Sequence, residues 1–208
     1  MLKNITFVCA LLVAPAAVSQ PFYVKVVNVP QGDTLRVRAA PDRASAELGG
    51  LVPGTTNIEI GATNAQGDWG RVTWQETDGW IALAFTEQIA PPLLGQSALP
   101  AGLTCSGTEP FWGLALTQTG VFYSTPEHDP ISLRIAEVLT ASGFQGQPAA
   151  IIAIGDGHTA IATIRVQECS DGMSDTTFPW SADVIHQSSS DPLLQSGCCN
   201  LPIDAGRQ

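Results

Sequence analysis

Basic residues are scarce in this sequence: nine Lys and Arg stand against nineteen Asp and Glu, for a formal net charge of −10 over 208 residues. Neutralising phosphates needs a clustered basic surface, so nucleic acid is excluded as a partner. Long hydrophobic runs are missing too: beyond residue 19 none approaches the roughly 18 apolar residues of a membrane-spanning helix. Charge of either sign is low, at 13% of residues, whereas 44% are apolar. That balance excludes a disordered chain or a fibrous repeat and supports a packed core. The length fits one or two domains.

Metal and cofactor signatures are also lacking. No Cys/His cluster has zinc spacing, and Asp171, Ser174 and Asp175 lack the spacing of a calcium loop, so turn chemistry accounts for them. No metal and no cofactor is expected.

Residues 1–19 read as a secretory signal peptide: Lys3, an apolar run over 5–17, then the small residues Ala17-Val18-Ser19 before Gln20. The run is too short for a confident transmembrane span, so no stable membrane insertion is expected once the signal is removed. Cys9 follows Phe7-Val8, where a lipidated cysteine needs a small residue directly before it, and it leaves with the signal. Eight cations then face nineteen acids, a net charge of −11, with Lys25 the only lysine. Repulsion from anionic surfaces and a periplasmic or secreted location follow.

Four cysteines remain: Cys105, Cys169, Cys198 and Cys199. In an exported chain the default is two disulfides. Of the three pairings, the one joining neighbours Cys198 and Cys199 needs a strained ring. The other two tie that pair back to Cys105 and Cys169, and the sequence does not choose between them.

Residues 91–102 show no period-two alternation and no charge, which reads as a linker between domains at 20–90 and 103–208. The first carries five cations and eight acids, the second three cations and eleven acids. Short apolar runs at 23–29, 35–37, 58–60, 69–74 and 80–83 lie between turn signals such as Pro53-Gly54, as in a small all-β barrel. The second half alternates likewise at 112–116, 121–124, 131–138, 149–154, 160–167 and 180–186, although 135–139 could close as a helical turn. The expected fold class is all-β, a small barrel followed by a disulfide-containing β-barrel or β-sandwich.

Asp33-Thr34-Leu35-Arg36-Val37-Arg38-Ala39-Ala40-Pro41, Leu51-Val52-Pro53-Gly54-Thr55, Trp69-Gly70-Arg71-Val72 and Asp78-Gly79-Trp80-Ile81 resemble a bacterial SH3 domain, in order across most of the first half. Ala40 stands where that family usually has glycine. The resemblance implies binding of cell-wall peptide or an envelope protein, without chemistry of its own. Trp69, Trp74 and Trp80 could line a groove, because indole offers large contact area with a polar edge. Core or rim packing suits Trp69 and Trp80 as well. Arg38, Trp74 and Trp80 are the ligand candidates of this half; Arg36 shares a strand face with Arg38.

Cys105-Ser106-Gly107-Thr108-Glu109-Pro110-Phe111-Trp112, Cys169-Ser170-Asp171-Gly172-Met173-Ser174-Asp175 and Gly197-Cys198-Cys199 resemble a family of bacterial envelope proteins that brings no established activity with it. It implies a secreted or lipid-anchored β domain. Glu109 is the acid to watch, since Pro110 and Trp112 could shield it; a salt bridge or turn cap is its bland alternative.

Three functions remain in view. The favoured one is a non-enzymatic envelope protein whose SH3-like half docks on peptidoglycan or an envelope protein. The second is an acidic inhibitor or sensor of a basic protein such as a lysozyme, with salt-sensitive encounter. The third is a cell-wall cysteine peptidase using Cys105 and His158. Against it, residues 108–113 cannot run on as the helix such enzymes place at the cysteine, and Gly155-Asp156-Gly157-His158 reads as a hairpin turn. No catalytic residue is therefore assigned. His128 and His186 have no partner visible in the sequence, and His186 shares strand parity with Ala182 and Val184.

Overall fold

A computed structural model describes residues 20–143, 147–188 and 192–203; the expected signal peptide at 1–19 lies outside them. The fold is all-β, as expected. Two antiparallel sheets form the first half. One joins β1 (Phe22–Val26) to β4 (Ile58–Ile60) and β8 (Thr86–Ile89); the other runs β3 (Glu47–Leu51), β2 (Leu35–Arg38), β7 (Thr77–Ala82), β6 (Trp69–Trp74), β5 (Ala62–Thr63). Alternation explains the packing: Leu35 and Val37 turn inward onto Val24, Leu51, Ile58 and Ile81, while Arg36 and Arg38 face out.

The second half is an up-and-down barrel of eight strands: β9 (Thr104–Thr108), β10 (Phe111–Leu116), β11 (Gly120–Thr125), β12 (His128–Thr140), β13 (Ala149–Gly155), β14 (His158–Cys169), β15 (Phe178–Gln187) and β16 (Leu193–Asn200). Pairing of β16 with β9 closes it and removes every sheet edge. Ala160, Ala162 and Ile164 of β14 point in while Ile161, Thr163 and Arg165 point out. Large Trp112, Trp180 and Leu114 meet small Ala153, Ala162 and Ala182 across the interior, so the barrel is filled.

One expectation is corrected. Residues 135–139 do not form a helical turn; they belong to β12, where a bulge between Ile135 and Glu137 reverses the inward parity. The extra residue puts Ile135 and Val138 on the same face three apart, which mimics helical spacing. Within residues 91–102, read as a linker, Leu94 and Leu99, 1% and 0% exposed, join the barrel core, and Leu93 bridges Pro100.

The halves are in contact at the barrel end that carries the β14–β15 loop. Thr77 bridges Asp175, the Asp175 amide donates to the Glu76 carbonyl at 3.2 Å, and the Thr177 amide donates to Asp78 Oδ1 at 2.9 Å. Arg71 Nη2 meets Glu168 at 2.8 Å, and Ile203 packs on the first core.

The disulfides tie the neighbouring cysteines back to the other two, as Cys105–Cys199 between adjacent strands β9 and β16 and Cys169–Cys198 between β14 and β16. Cys105 and Cys199 belong to the interior core. Such cross-links belong to an oxidising, non-cytoplasmic compartment.

Candidate functional site

Arg38 and Trp80 are direct partners across β2 and β7, and Trp80 is also opposite Arg71 on β6. The two ligand candidates therefore share one sheet row. Arg38 also borders a groove of about 310 Å³ together with Arg36, Arg43, Trp69 and Phe85. Phe85, from the turn after β7, is 41% exposed, whereas Trp69 is buried and forms the floor. Three of the eight cations beyond residue 19 thus surround one groove.

The loop carrying Arg43 is held by its own polar side chains. Asp42 Oδ1 accepts the Ala44 amide at 2.8 Å, and Ser45 Oγ accepts the Ala40 amide while donating to the Ala40 carbonyl. Arg38 Nη1 donates to the Ser45 carbonyl at 2.8 Å, which fixes its guanidinium beside the loop. Arg36 is neutralised by Glu47 at 3.1 Å and Asp33 at 3.7 Å. Arg43 has no ion-pair or hydrogen-bond partner among the described residues, leaving its five donors for a ligand. An anion held here would meet a preorganised loop.

Trp74 lies elsewhere. Its ring covers Gly49, where a Cβ would stand 2.4 Å from the indole, and its Nε1 is buried without a partner. Pro202 and Ile203 line the same recess, so the C-terminal segment flanks this indole.

Glu109 is exposed in the second half, apart from the groove. It borders a cavity of about 490 Å³ on which the three cysteine-bearing fragments at 105–112, 169–175 and 197–199 converge, through Ser106, Glu109, Cys169, Asp171, Met173 and Cys198. Asp183 borders it too, and among the described residues no Lys or Arg does. Burial works to raise the Asp171 carboxyl, but the Ser174 and Met173 amides and the Ser174 hydroxyl outweigh it and hold the group below its ordinary value.

Cys105 has no free thiol, and its layer of the barrel is distant from the histidines. Cys199, bonded to Cys105, is opposite Trp180; His186 is six residues further along β15, about 20 Å away at strand rise. His158 meets His186, not Cys105.

Sequence reasoning missed Glu59. This acid of β4 lies between the halves and is 4% exposed. Its Oε1 accepts from Trp180 Nε1 at 2.7 Å and from the Tyr23 hydroxyl at 3.1 Å; its Oε2 accepts from the Leu201 amide at 2.8 Å. Burial pushes the carboxyl up to about 7, against the opposing pull of these three donors. Burial, then the neighbouring carboxylate, drives the Tyr23 phenol far above its ordinary value. A lone acid between Ile58 and Ile60 was the available signal, but nothing in the sequence names Trp180 as its partner.

Comparison with models of known protein families, with curated proteins and with solved structures finds no match.

Proposed function

We propose that this chain is an exported, non-enzymatic binding protein of the cell envelope, periplasmic or secreted. Its SH3-like first half docks through the Arg38–Arg43 groove on the carboxylates of peptidoglycan stem peptides or of an envelope protein. The observation that carries this reading is the gathering of Arg36, Arg38 and Arg43 around an aromatic-floored groove on a chain of net charge −10. A planar guanidinium recognises carboxylate through paired hydrogen bonds, and Arg43 is available for that. The absence of a role for Cys105 beyond its disulfide favours binding over peptidase chemistry.

The cavity bordered by Glu109, Asp171 and Asp183 supports a second reading, an acidic inhibitor or sensor of a basic protein such as a lysozyme.

Pull-down on purified sacculi tests the first. The oxidised protein is expected to be retained at low salt and released as salt rises, with retention lost in Arg38→Ala/Arg43→Ala. No retention at low salt would overturn the wall-binding version.

A further inference from the structure

The chain has three histidines, and all three line one cavity of about 450 Å³ at the barrel end away from the first half. Topology brings them there. The β13–β14 hairpin turns through Asp156 and Gly157, both at positive φ, and delivers His158 at the head of β14. His186 on β15 is opposite Ala160, so His158, two residues before Ala160, is its diagonal neighbour on the inward face. His128 begins β12 on the same rim.

His158 Nδ1 and His186 Nε2 are 3.2 Å apart, with ring centroids 5.3 Å apart and planes within 10°. The centroid distance exceeds the N···N distance by almost two ring radii. The nitrogens therefore meet end to end in a shared plane, one N–H donating to the other's lone pair. Tyr123 stacks on His186 at 4.2 Å and anchors its own hydroxyl on Gln195 Oε1 at 2.6 Å, so His186 is held from one side. His158 is half-buried beside the glycine turn. Burial, then His158, holds His186 below the ordinary imidazole value. Glu127 and Asp129 border the cavity; among the described residues no Lys or Arg does, and a buried Thr125 hydroxyl there lacks a partner.

We propose that His158 and His186 form a two-nitrogen chelate for a borderline divalent transition-metal ion, Zn²⁺ or Cu²⁺, at this mouth of the barrel. On a tetrahedral ion with bonds of about 2.0–2.1 Å, two ligand nitrogens stand roughly 3.3 Å apart, close to the separation already present. Both rings swing off the N···N line for the facing lone pairs to converge on one ion. The proton between the rings passes to the other nitrogen of the imidazole that carries it, which frees both facing lone pairs for the ion. Imidazole suits these ions, and the surrounding acids favour a cation. No group of three ligating side chains is assembled among the described residues, so the remaining positions belong to solvent.

Titration of the oxidised protein with Zn²⁺ alone by calorimetry, and with Cu²⁺ followed by electron paramagnetic resonance, tests the site. One equivalent of Zn²⁺ with micromolar affinity is expected, at least about tenfold weaker in His158→Ala and in His186→Ala, with a two-nitrogen pattern on Cu²⁺. Should His186→Ala fail to fold by circular dichroism, His158→Ala, at the turn, decides alone. No saturable binding, undiminished binding in His158→Ala, or loss confined to His128→Ala would overturn the proposal.

Discussion

The chain has two tyrosines, and each donates its hydroxyl to a buried acceptor. Tyr23 serves the joined end of the barrel, where Glu59 accepts it together with Trp180 and Leu201. Tyr123 serves the open end, where the acceptor is the neutral Gln195 and the ring's other role is to flank His186. A charge has been buried where the two halves meet, and neutral polar groups where the barrel meets solvent. The difference follows from which acceptor can satisfy several donors: a carboxylate takes three at once, whereas an amide carbonyl takes at most two. Glu59 can therefore hold groups from three separate segments, and a single substitution there should loosen the joint.

Glu59→Ala should break that contrast most strongly. It leaves Trp180 Nε1, the Tyr23 hydroxyl and the Leu201 amide without an acceptor, at about 1–3 kcal/mol each, partly offset by relief of the desolvated charge. A net loss of about 3 kcal/mol is expected in urea unfolding followed by tryptophan fluorescence, with the single transition splitting as the halves unfold separately. An unchanged midpoint would mean that the joint is held by Arg71–Glu168 and the Thr77–Asp175 bridge instead.

A smaller effect comes from pH. The Glu59 carboxyl is at about 7 in the folded chain against 4.5 for the free group. The folded state thus holds this proton more tightly, and its contribution to stability is full below about pH 4.5. It is lost as pH rises and levels off above about 7, a change on the order of 3 kcal/mol. Other carboxylates, Asp171 among them, favour the folded state as pH rises, so the trend is read as the difference between wild type and Glu59→Gln. That difference should slope between pH 4.5 and 7 and be flat above; a flat difference throughout would show that Glu59 stays ionised.

The two ends also differ in how much the residues alone reveal. Barrel strands such as β14 were visible because small and branched apolar residues alternate with Thr and Arg over a long run. β9 and β16 were not recognised, since Gly, Ser and Cys supply no hydrophobic period there and closure is enforced by the pairing of Cys105 with Cys199. Arg38 and Trp80 were singled out separately, and only the register made them neighbours. The same holds for His158 and His186: parity along β15 turned His186 inward, but the partner depends on which residue of β14 is opposite. Glu59 was hidden for a different reason. A single acid in a three-residue strand carries no period, and its three donors come from β1, β15 and the segment after β16.

The paired tyrosine variants sharpen the comparison with the smallest change, one oxygen atom at each end. Tyr123→Phe removes a hydrogen bond between neutral groups and keeps the ring on His186, so about 1 kcal/mol is expected. Tyr23→Phe removes a hydrogen bond to Glu59, whose worth depends on the charge of the acceptor. At pH 8 the carboxylate is ionised and the loss should be about 2 kcal/mol, since bonds to charged groups are stronger. At pH 5 the carboxyl is mostly protonated, and the loss should shrink to that of Tyr123→Phe. Urea unfolding of both variants at the two pH values therefore reads the acceptor's charge through the donor. A Tyr23→Phe penalty that does not move with pH, while Tyr123→Phe also stays fixed, would place the titration of Glu59 outside this interval and remove the electrostatic distinction between the two ends.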